Sequence, residues 1–147
     1  MIVSLDTNVL VYAENINGPA RKKAAIDLLQ RLPPESTLIA AQALAELFSV
    51  LVRKARWSRE RARDAVTSWS LSYPVIDTSA AVVLLAAELT VRHQLGWWDA
   101  VILSTAAESR CRVLLSEDLQ DGFVWSGVTV VDPFASRRHP LLDAILR

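Results

Sequence analysis

Short, mainly apolar runs alternate along the chain with longer segments in which apolar residues recur at helical spacing. A short apolar run is typical of a buried strand, and a period of three to four residues is typical of a helix with one buried face. The predicted strands span residues 1–5, 37–39, 73–76, 112–115 and 128–131. The predicted helices span residues 9–13, 20–32, 41–54, 58–69, 79–93 and 98–109, with a last helical turn at 141–146.

Strands that alternate with helices favour a mainly parallel sheet covered on both faces, which is an α/β sandwich. Either Thr78 or Ser79 is a candidate N-cap, and Gly122 and Gly127 bracket a predicted turn into the last strand. We expect one domain over residues 1–147, because this length suits a single core. The tail from about Pro133 lies outside the alternating pattern, and packing, dimer contact and disorder all stay open for it.

Composition excludes several classes of protein. Hydrophobic residues make up 52% of the 147 positions, which is too many for a disordered chain. No apolar run approaches the ~20 residues that span a bilayer, so we expect no membrane segment. The single cysteine, Cys111, fits a reducing cytoplasm and is predicted to be buried. Sixteen basic residues balance sixteen acidic ones, so any attraction to nucleic acid must be local.

Four acidic residues stand in unusual places. Glu46 and Asp99 are flanked by apolar residues, while Asp6 and Asp118 follow predicted strands, where an open α/β sheet binds ligands. Carboxylates about 4 Å apart repel each other by roughly 4 kcal/mol at an effective dielectric constant of 20, so such a cluster needs protons or a cation. An all-oxygen ligand set favours Mg²⁺ or Mn²⁺. The acids therefore predict a metal site that polarises a phosphate and leaves a product with a 5′ phosphate.

Each acid also has a structural interpretation when it is considered alone. Asp6 could begin a turn, Asp99 could stabilise a helix N-terminus, Glu46 could pair with a core arginine, and Asp118 could be a loop carboxylate. Histidine offers no competing mechanism, since His93 ends a predicted helix and His139 lies in the tail, and both are expected at the surface.

Four motifs follow one another along the chain: Asp6-Thr7-Asn8 after the first strand, Glu46 in an early helix, Trp98-Asp99-Ala100 at the start of a late helix, and the stretch at 115–122 after a strand. Together they resemble the PIN domain, and in particular the toxin ribonucleases of the VapC type. The resemblance covers the chain from Ile2 to about Pro133. It implies a three-layer α/β/α sandwich and an endoribonuclease dependent on Mg²⁺ or Mn²⁺.

The resemblance also assigns roles and partners. Asp6, Glu46, Asp99 and Asp118 would be the catalytic and metal-binding acids, supported by Thr7, Asn8, Ser116 and Asp121. Glu117 or Asp121 could turn into the cleft in place of Asp118. The family implies an RNA substrate, a homodimer and a small cognate antitoxin. A catalytically silent PIN-like module that binds RNA or protein is the alternative, whereas Asn8 argues against a phosphatase of the haloacid-dehalogenase type, which needs a second Asp there.

Basic residues cluster beside the predicted acidic site. Candidate RNA or partner contacts are Arg21, Lys22, Arg53, Arg56, Arg59 and Arg63, with Lys23, Lys54 and Arg61 in the same two groups. A solvated helix face is an equally good interpretation of these groups. Trp57 and Trp69 are predicted to pack rather than to stack on bases. We expect at least one of Trp97 and Trp98 to lie in the core, while the other could wall the cleft.

Overall fold

The computed structural model describes residues 1–146, so the last residue of the predicted domain lies outside the described residues. The strands are β1 (Val3–Leu5), β2 (Thr37–Ala40), β3 (Val75–Ile76), β4 (Val113–Leu115), β5 (Val124–Trp125) and β6 (Val128–Val131). The helices are α1 (Thr7–Ala13), α2 (Pro19–Arg31), α3 (Ala41–Arg53), α4 (Arg59–Ser72), α5 (Ala80–Arg92), α6 (Trp97–Glu108) and α7 (Pro140–Ile145).

The six strands form one sheet in the order β3-β2-β1-β4-β6-β5. All neighbouring strands are parallel except β5 and β6, which are antiparallel. Helices α1 to α4 pack in one connected group, and α5 packs against α6. These two groups flank the sheet, which gives the expected three-layer α/β/α sandwich with a mainly parallel centre. At the two edges of the sheet, β3 and β5 contain two residues each.

The register of the three central strands explains the apolar runs. Leu5 of β1 lies beside Ile39 of β2 and Leu115 of β4, and all three side chains are fully buried. Burial of each such side chain contributes about 1.5 to 3 kcal/mol. The polar residues that follow β1 and β4 therefore emerge together, at one edge of a rigid core.

The structure corrects the prediction around residues 122–127. We expected only a turn between Gly122 and Gly127, but β5 lies there and pairs with β6 as a hairpin. Ser126 and Gly127 form its turn with φ values of 49° and 82°. Two successive positive φ angles are the requirement of a two-residue hairpin turn that matches strand twist.

Two further segments are clearer in the structure than in the sequence. Helix α1 begins at Thr7, two residues before the predicted start, because Asp6 is its N-cap. The tail folds back, since Leu142 and Ile145 of α7 are buried and the Phe134 ring lies 5.3 Å from that of Tyr12. The tail therefore packs against the rest of the chain, and a dimer contact by its exposed residues stays a prediction. Within the described part of the chain, no helix has the length and apolarity that crossing a membrane requires.

Candidate active site

Asp6 is fixed at the junction of β1 and α1. Its backbone N–H donates to the Leu115 carbonyl at 3.0 Å, which extends the pairing of β1 with β4 by one residue. The turn into α1 therefore begins only after Asp6. One carboxylate oxygen then accepts from the Thr7 backbone N–H at 2.7 Å, and the other accepts from the Ser116 hydroxyl at 2.6 Å. The side chain is 6% exposed. Asp6 is therefore held in one position by the two strands that meet there.

The environment of Asp6 opposes its negative charge. Burial is the main cause that raises its pKa from 3.8 to about 6, and the carboxylates of Asp118 and Glu46 raise it further. The hydrogen bonds from Ser116 and Thr7 act in the opposite direction and do not cancel the effect. A buried carboxylate with raised pKa and acidic neighbours is typical of a site that binds a cation.

Glu46 reaches the same place from α3. The Thr7 hydroxyl donates to one of its oxygens at 2.7 Å, and the Gln42 amide donates to the other at 2.6 Å. The same amide nitrogen also donates to the backbone carbonyl of Trp98 at 3.0 Å, which ties α3 to the first turn of α6. Thr7 thus bridges the two acids, through its backbone to Asp6 and through its hydroxyl to Glu46.

Asp118 and Asp99 complete the group with fewer hydrogen bonds. The Asn8 amide donates to Asp118 at 3.2 Å, and the Ser116 hydroxyl oxygen accepts from the Asp118 backbone N–H at 3.2 Å. Asp99 accepts no hydrogen bond from the described residues, and one of its oxygens lies 3.6 Å from the position that a Cβ on Gly96 would take. Burial first, then Asp118 and Glu46, raises the pKa of Asp99.

The four acids fit a divalent cation by their chemistry. Among residues 1–146, no lysine, arginine or histidine forms an ion pair with any of them. Buried oxygens of Asn8 and Gln42 beside them lack hydrogen-bond partners. No group of three metal-ligating acids, histidines or cysteines is close enough to enclose an ion in the described residues. Mg²⁺ does not require such a group, because it usually keeps several waters and takes one or two protein carboxylates.

A cavity of about 440 Å³ opens beside the acids. Thr7, Asn8, Glu46 and Asp118 line its acidic end, while Lys54 lines it from the end of α3. This volume is within the range of small-ligand sites in proteins. A phosphate between Lys54 and a cation held by the acids would find positive charge on both sides.

The structure places Asp121 and Glu117 outside this group. The Asp121 carboxylate accepts from the backbone N–H of Asp132 at 2.9 Å, so the predicted supporting role at the acids is wrong for this residue. Glu117 accepts from the Tyr12 hydroxyl at 2.9 Å and pairs with Arg21, which also donates to that hydroxyl. Asp118 is therefore the acid of this loop that joins the cluster.

Some of the basic candidates form ion pairs with acidic side chains, and others do not. Arg21 holds Glu117, and Arg63 pairs with its neighbour Asp64 at 3.1 Å. The exposed candidates with no ion pair in the structure are Lys22, Arg53, Arg56 and Arg59. Arg53 directly precedes Lys54, which lines the cavity, and whether any of these residues contacts RNA stays a prediction.

The tryptophans partly contradict the prediction. Trp57 and Trp69 pack against the core as expected, Trp57 under the Arg61 guanidinium and Trp69 with its N–H on Glu14. Trp97 and Trp98 are 40% and 63% exposed, so neither lies in the core. Their position at the start of α6 is the reason, because Asp99 rather than an aromatic ring turns inward there.

Sequence reasoning missed two residues that organise the site. Gln42 carries the link between Glu46 and Trp98, and its spacing of four residues before Glu46 on a helix was the available signal. The Tyr12 hydroxyl donates a hydrogen bond to Glu117 and accepts one from Arg21. Nothing in the sequence indicated Tyr12, because its partners are distant along the chain.

Comparison with known proteins identifies a family and a fold. The family described as PIN domain matches residues 3–120. Among proteins of curated function, none matches the chain.

Solved structures with high similarity include toxins and toxin–antitoxin complexes. The Mycobacterium tuberculosis toxin VapC20, described as cleaving the sarcin-ricin loop, shares 21% identity over 79% of this chain and 89% of its own, with a TM-score of 0.66. A toxin–antitoxin complex from Klebsiella pneumoniae shares 23% identity over 90% and 98%, with a TM-score of 0.68. The FitAcB structure from Neisseria gonorrhoeae shares 18% identity over 90% and 99%, with a TM-score of 0.68. At these identities the likeness shows the fold.

Proposed function

The chain belongs to the PIN domain family, and from this premise we propose that it is an endoribonuclease dependent on Mg²⁺ or Mn²⁺ and the toxin of a toxin–antitoxin pair. The observation that carries the proposal is the convergence of Asp6, Glu46, Asp99 and Asp118 from four separate segments, without a basic partner among residues 1–146. Structural acids would be expected to pair with cations or to face solvent singly. A cluster of mutually repelling carboxylates is better explained by a bound metal ion.

The residues around the acids have distinct tasks in this proposal. When bound, the ion supplies Lewis-acid polarisation of the scissile phosphate and makes water more acidic. Ser116 and the Thr7 backbone hold Asp6, and Thr7 together with Gln42 holds Glu46, so these two carboxylates do not have to reorganise.

Asp118 and Asp99 have oxygens free for the ion and its waters, because Asn8 donates only one hydrogen bond to this pair. Either Asp118 or Glu46 orients the attacking water. Attack on phosphorus with departure of the 3′ oxygen leaves a 5′ phosphate on the downstream product. Lys54, which lines the same cavity, contributes positive charge toward the RNA backbone.

The toxin role is supported by the solved structures that share this fold, which include a toxin and a toxin–antitoxin complex. We propose that a small cognate antitoxin binds this chain and that the pair acts in the cytoplasm.

A homodimer is proposed as well, because α5 exposes Val83, Leu84 and Val91, and Trp98 lies exposed at the start of the neighbouring α6. Sedimentation of the parent and of Leu84→Glu would test the dimer, which the charge should disrupt.

The deciding experiment follows cleavage of labelled RNA by the purified chain, free of any partner, with Mg²⁺, Mn²⁺ or EDTA. We expect cleavage only with a divalent ion, and we expect Asp6→Asn and Asp99→Asn to abolish it. Asp27→Asn is the matched control, because this exposed carboxylate pairs only with Lys23 at 2.9 Å on the surface of α2.

Undiminished cleavage in EDTA, or by both site variants, would refute the proposal. Metal-independent RNA binding without any cleavage would support the alternative, a silent PIN-like binding module. Thermal melts of each variant show whether loss of cleavage reflects loss of folding.

A further inference from the structure

A second cavity adjoins the acidic site and is not used by the proposed chemistry. Its volume is about 500 Å³, and its walls are His93, Gln94 and Leu95 after α5 and Leu119, Gln120 and Phe123 after β4. Both walls are loop segments that run directly into the site. The first wall continues through Gly96 to α6, and the second wall follows Asp118 without a gap.

Two measurements place the cavity beside the acids. Leu95 of its wall precedes Gly96, whose Cβ position lies 3.6 Å from a carboxylate oxygen of Asp99. Leu119 follows Asp118 directly, and consecutive Cα atoms are about 3.8 Å apart. Asp118 also lines the first cavity, so successive residues of one loop line the two cavities. The loops that carry Asp99 and Asp118 therefore also supply walls of the second cavity.

The chemistry of the walls differs from that of the acids. The rings of His93 and Phe123 meet edge to face, with centroids 5.3 Å apart and planes at 83°. Gln94 and Gln120 contribute two exposed carboxamides, and none of the lining residues is acidic. Arg92, which also lines the cavity, forms its one ion pair among the described residues with Glu88 on its own helix, at 3.0 Å and with both side chains largely exposed. An exposed ion pair of this kind is weak, and a phosphate can replace Glu88.

This combination matches the way in which proteins read unpaired RNA. Unstacked bases lie on aromatic or imidazole rings, and carboxamides donate to and accept from their edges. Arginine side chains contact the phosphates of the RNA backbone. We propose that this cavity binds one unpaired base of the RNA substrate next to the scissile phosphate, with His93 as the stacking surface and Gln120 as the residue that selects the base.

The proposal rests on the proposed function, since it assumes that the phosphate of the same RNA lies at the acids. It adds a specificity site outside the acidic cluster. His93 and Gln120 are positioning residues in this scheme, because neither touches the reacting atoms. A protein segment is disfavoured as the occupant, since the cavity lacks both an acidic wall for a basic peptide and a long apolar groove.

The test uses a pool of short single-stranded RNA with a randomised segment. In EDTA, RNA bound by the protein is recovered and sequenced. With Mn²⁺, the ends produced by cleavage are sequenced from the same pool. The proteins are the parent, His93→Ala, Gln120→Ala and the control Gln30→Ala. The control removes an exposed glutamine on α2 that does not line this cavity.

We expect the parent to enrich one base at one position next to the cut. His93→Ala should bind the enriched RNA about tenfold more weakly, as removal of a stacking side chain does. Gln120→Ala should flatten the base preference at that position, with KM raised and kcat at saturating RNA within about twofold of the parent. Gln30→Ala should match the parent in every respect. Gln120 is exposed, so its variant keeps the test valid even if His93→Ala folds poorly.

The remaining outcomes separate the two proposals. Base enrichment that is the same in the parent and in both cavity variants overturns the cavity proposal alone. A parent that enriches a base in a cavity-dependent way but never cuts overturns the nuclease and leaves the cavity supported. A parent that neither binds nor cuts this RNA overturns both.

Discussion

Asp6→Asn is expected to stabilise the metal-free protein at neutral pH. The rise of the Asp6 pKa from 3.8 to about 6 means that the folded protein holds the charged form at a cost of about 3 kcal/mol. Asparagine removes that charge, has nearly the same shape and is an equally good N-cap. Part of the gain is lost at Ser116, whose oxygen already accepts from the backbone N–H groups of Asp118 and Leu119. We expect a net gain of about 1 to 2 kcal/mol.

The pH dependence fixes the sign of this effect. The folded-state pKa of Asp6 is raised, so its protonated form favours folding. That favourable contribution is complete below the unfolded pKa, near 3.8, and is lost as pH rises through about 6. The advantage of the variant over the parent is therefore largest above about pH 7, shrinks as pH falls through about 6, and disappears only below 3.8, where Asp6 becomes neutral in both folded and unfolded chains.

The assay is a set of thermal melts in EDTA and in Mn²⁺, each near pH 7.5 and near pH 4.5. In EDTA at the higher pH, the variant should melt about 3 to 6 °C above the parent, and at the lower pH this difference should be much smaller. Added Mn²⁺ should stabilise the parent at the higher pH by about 2.7 kcal/mol at one hundred times its Kd, and the variant much less. Asp27→Asn should show neither effect.

A variant less stable than the parent at both pH values would refute this reasoning. That result would mean that Asp6 serves the fold as a hydrogen-bonded helix cap, and that its burial does not oppose its charge. An equal Mn²⁺ shift in parent and variant would remove Asp6 from the ligand set.

Asp99→Asn should be at least as stable as the parent in EDTA, because burial, Asp118 and Glu46 all oppose the Asp99 charge. The variant should also lose most of the stabilisation by Mn²⁺. A free energy of unfolding lower by about 0.3 to 1 kcal/mol, with or without metal, would instead show that Asp99 stabilises the helix dipole. Reversal of Arg56, Arg59 and Arg63 to Glu should weaken RNA binding and reduce its log–log salt slope by about 2, since each lost phosphate contact on single strands accounts for about 0.7; an unchanged slope would leave these residues as a solvated face. Burial raises the pKa of the Cys111 thiol to about 11, so iodoacetamide should label it only in denaturant; rapid labelling of the folded protein would contradict this placement.

The fold was predictable where burial alone decides the structure. Parallel strands covered on both faces are apolar on both sides, so residues 113–115 stand out as a short apolar run, and residues 3–5 do so apart from the buried Ser4. β5 has no such signature, because Val124 is exposed and the strand exists only through its pairing with β6. Thr7 and Asn8 are buried polar residues at the start of α1. The hydrophobic pattern did not predict this start, because these polar side chains donate hydrogen bonds to Glu46 and Asp118.

The site was predictable in its acids and not in their partners. Asp99 among apolar neighbours and Asp6 at a strand end violate ordinary burial, and such violations are visible in a sequence. The hydrogen bond from Gln42 to Trp98 joins residues 56 positions apart. A contact of this kind depends on how two helices cross, and a single sequence contains no record of that crossing. The same limit explains why at least one of Trp97 and Trp98 was expected in the core.

The two outermost strands limit how this protein can assemble. β3 and β5 offer only two residues each along the free sides of the sheet, and Pro74 immediately before β3 has no N–H to donate. A partner strand could form hardly more than one pair of backbone hydrogen bonds there, which is too few to hold two chains together. Sheet extension, the usual first step of fibril growth, is therefore discouraged at both sides. Any lasting association must form between side chains of the outer helices and loops, where single substitutions can strengthen or abolish it without altering the sheet.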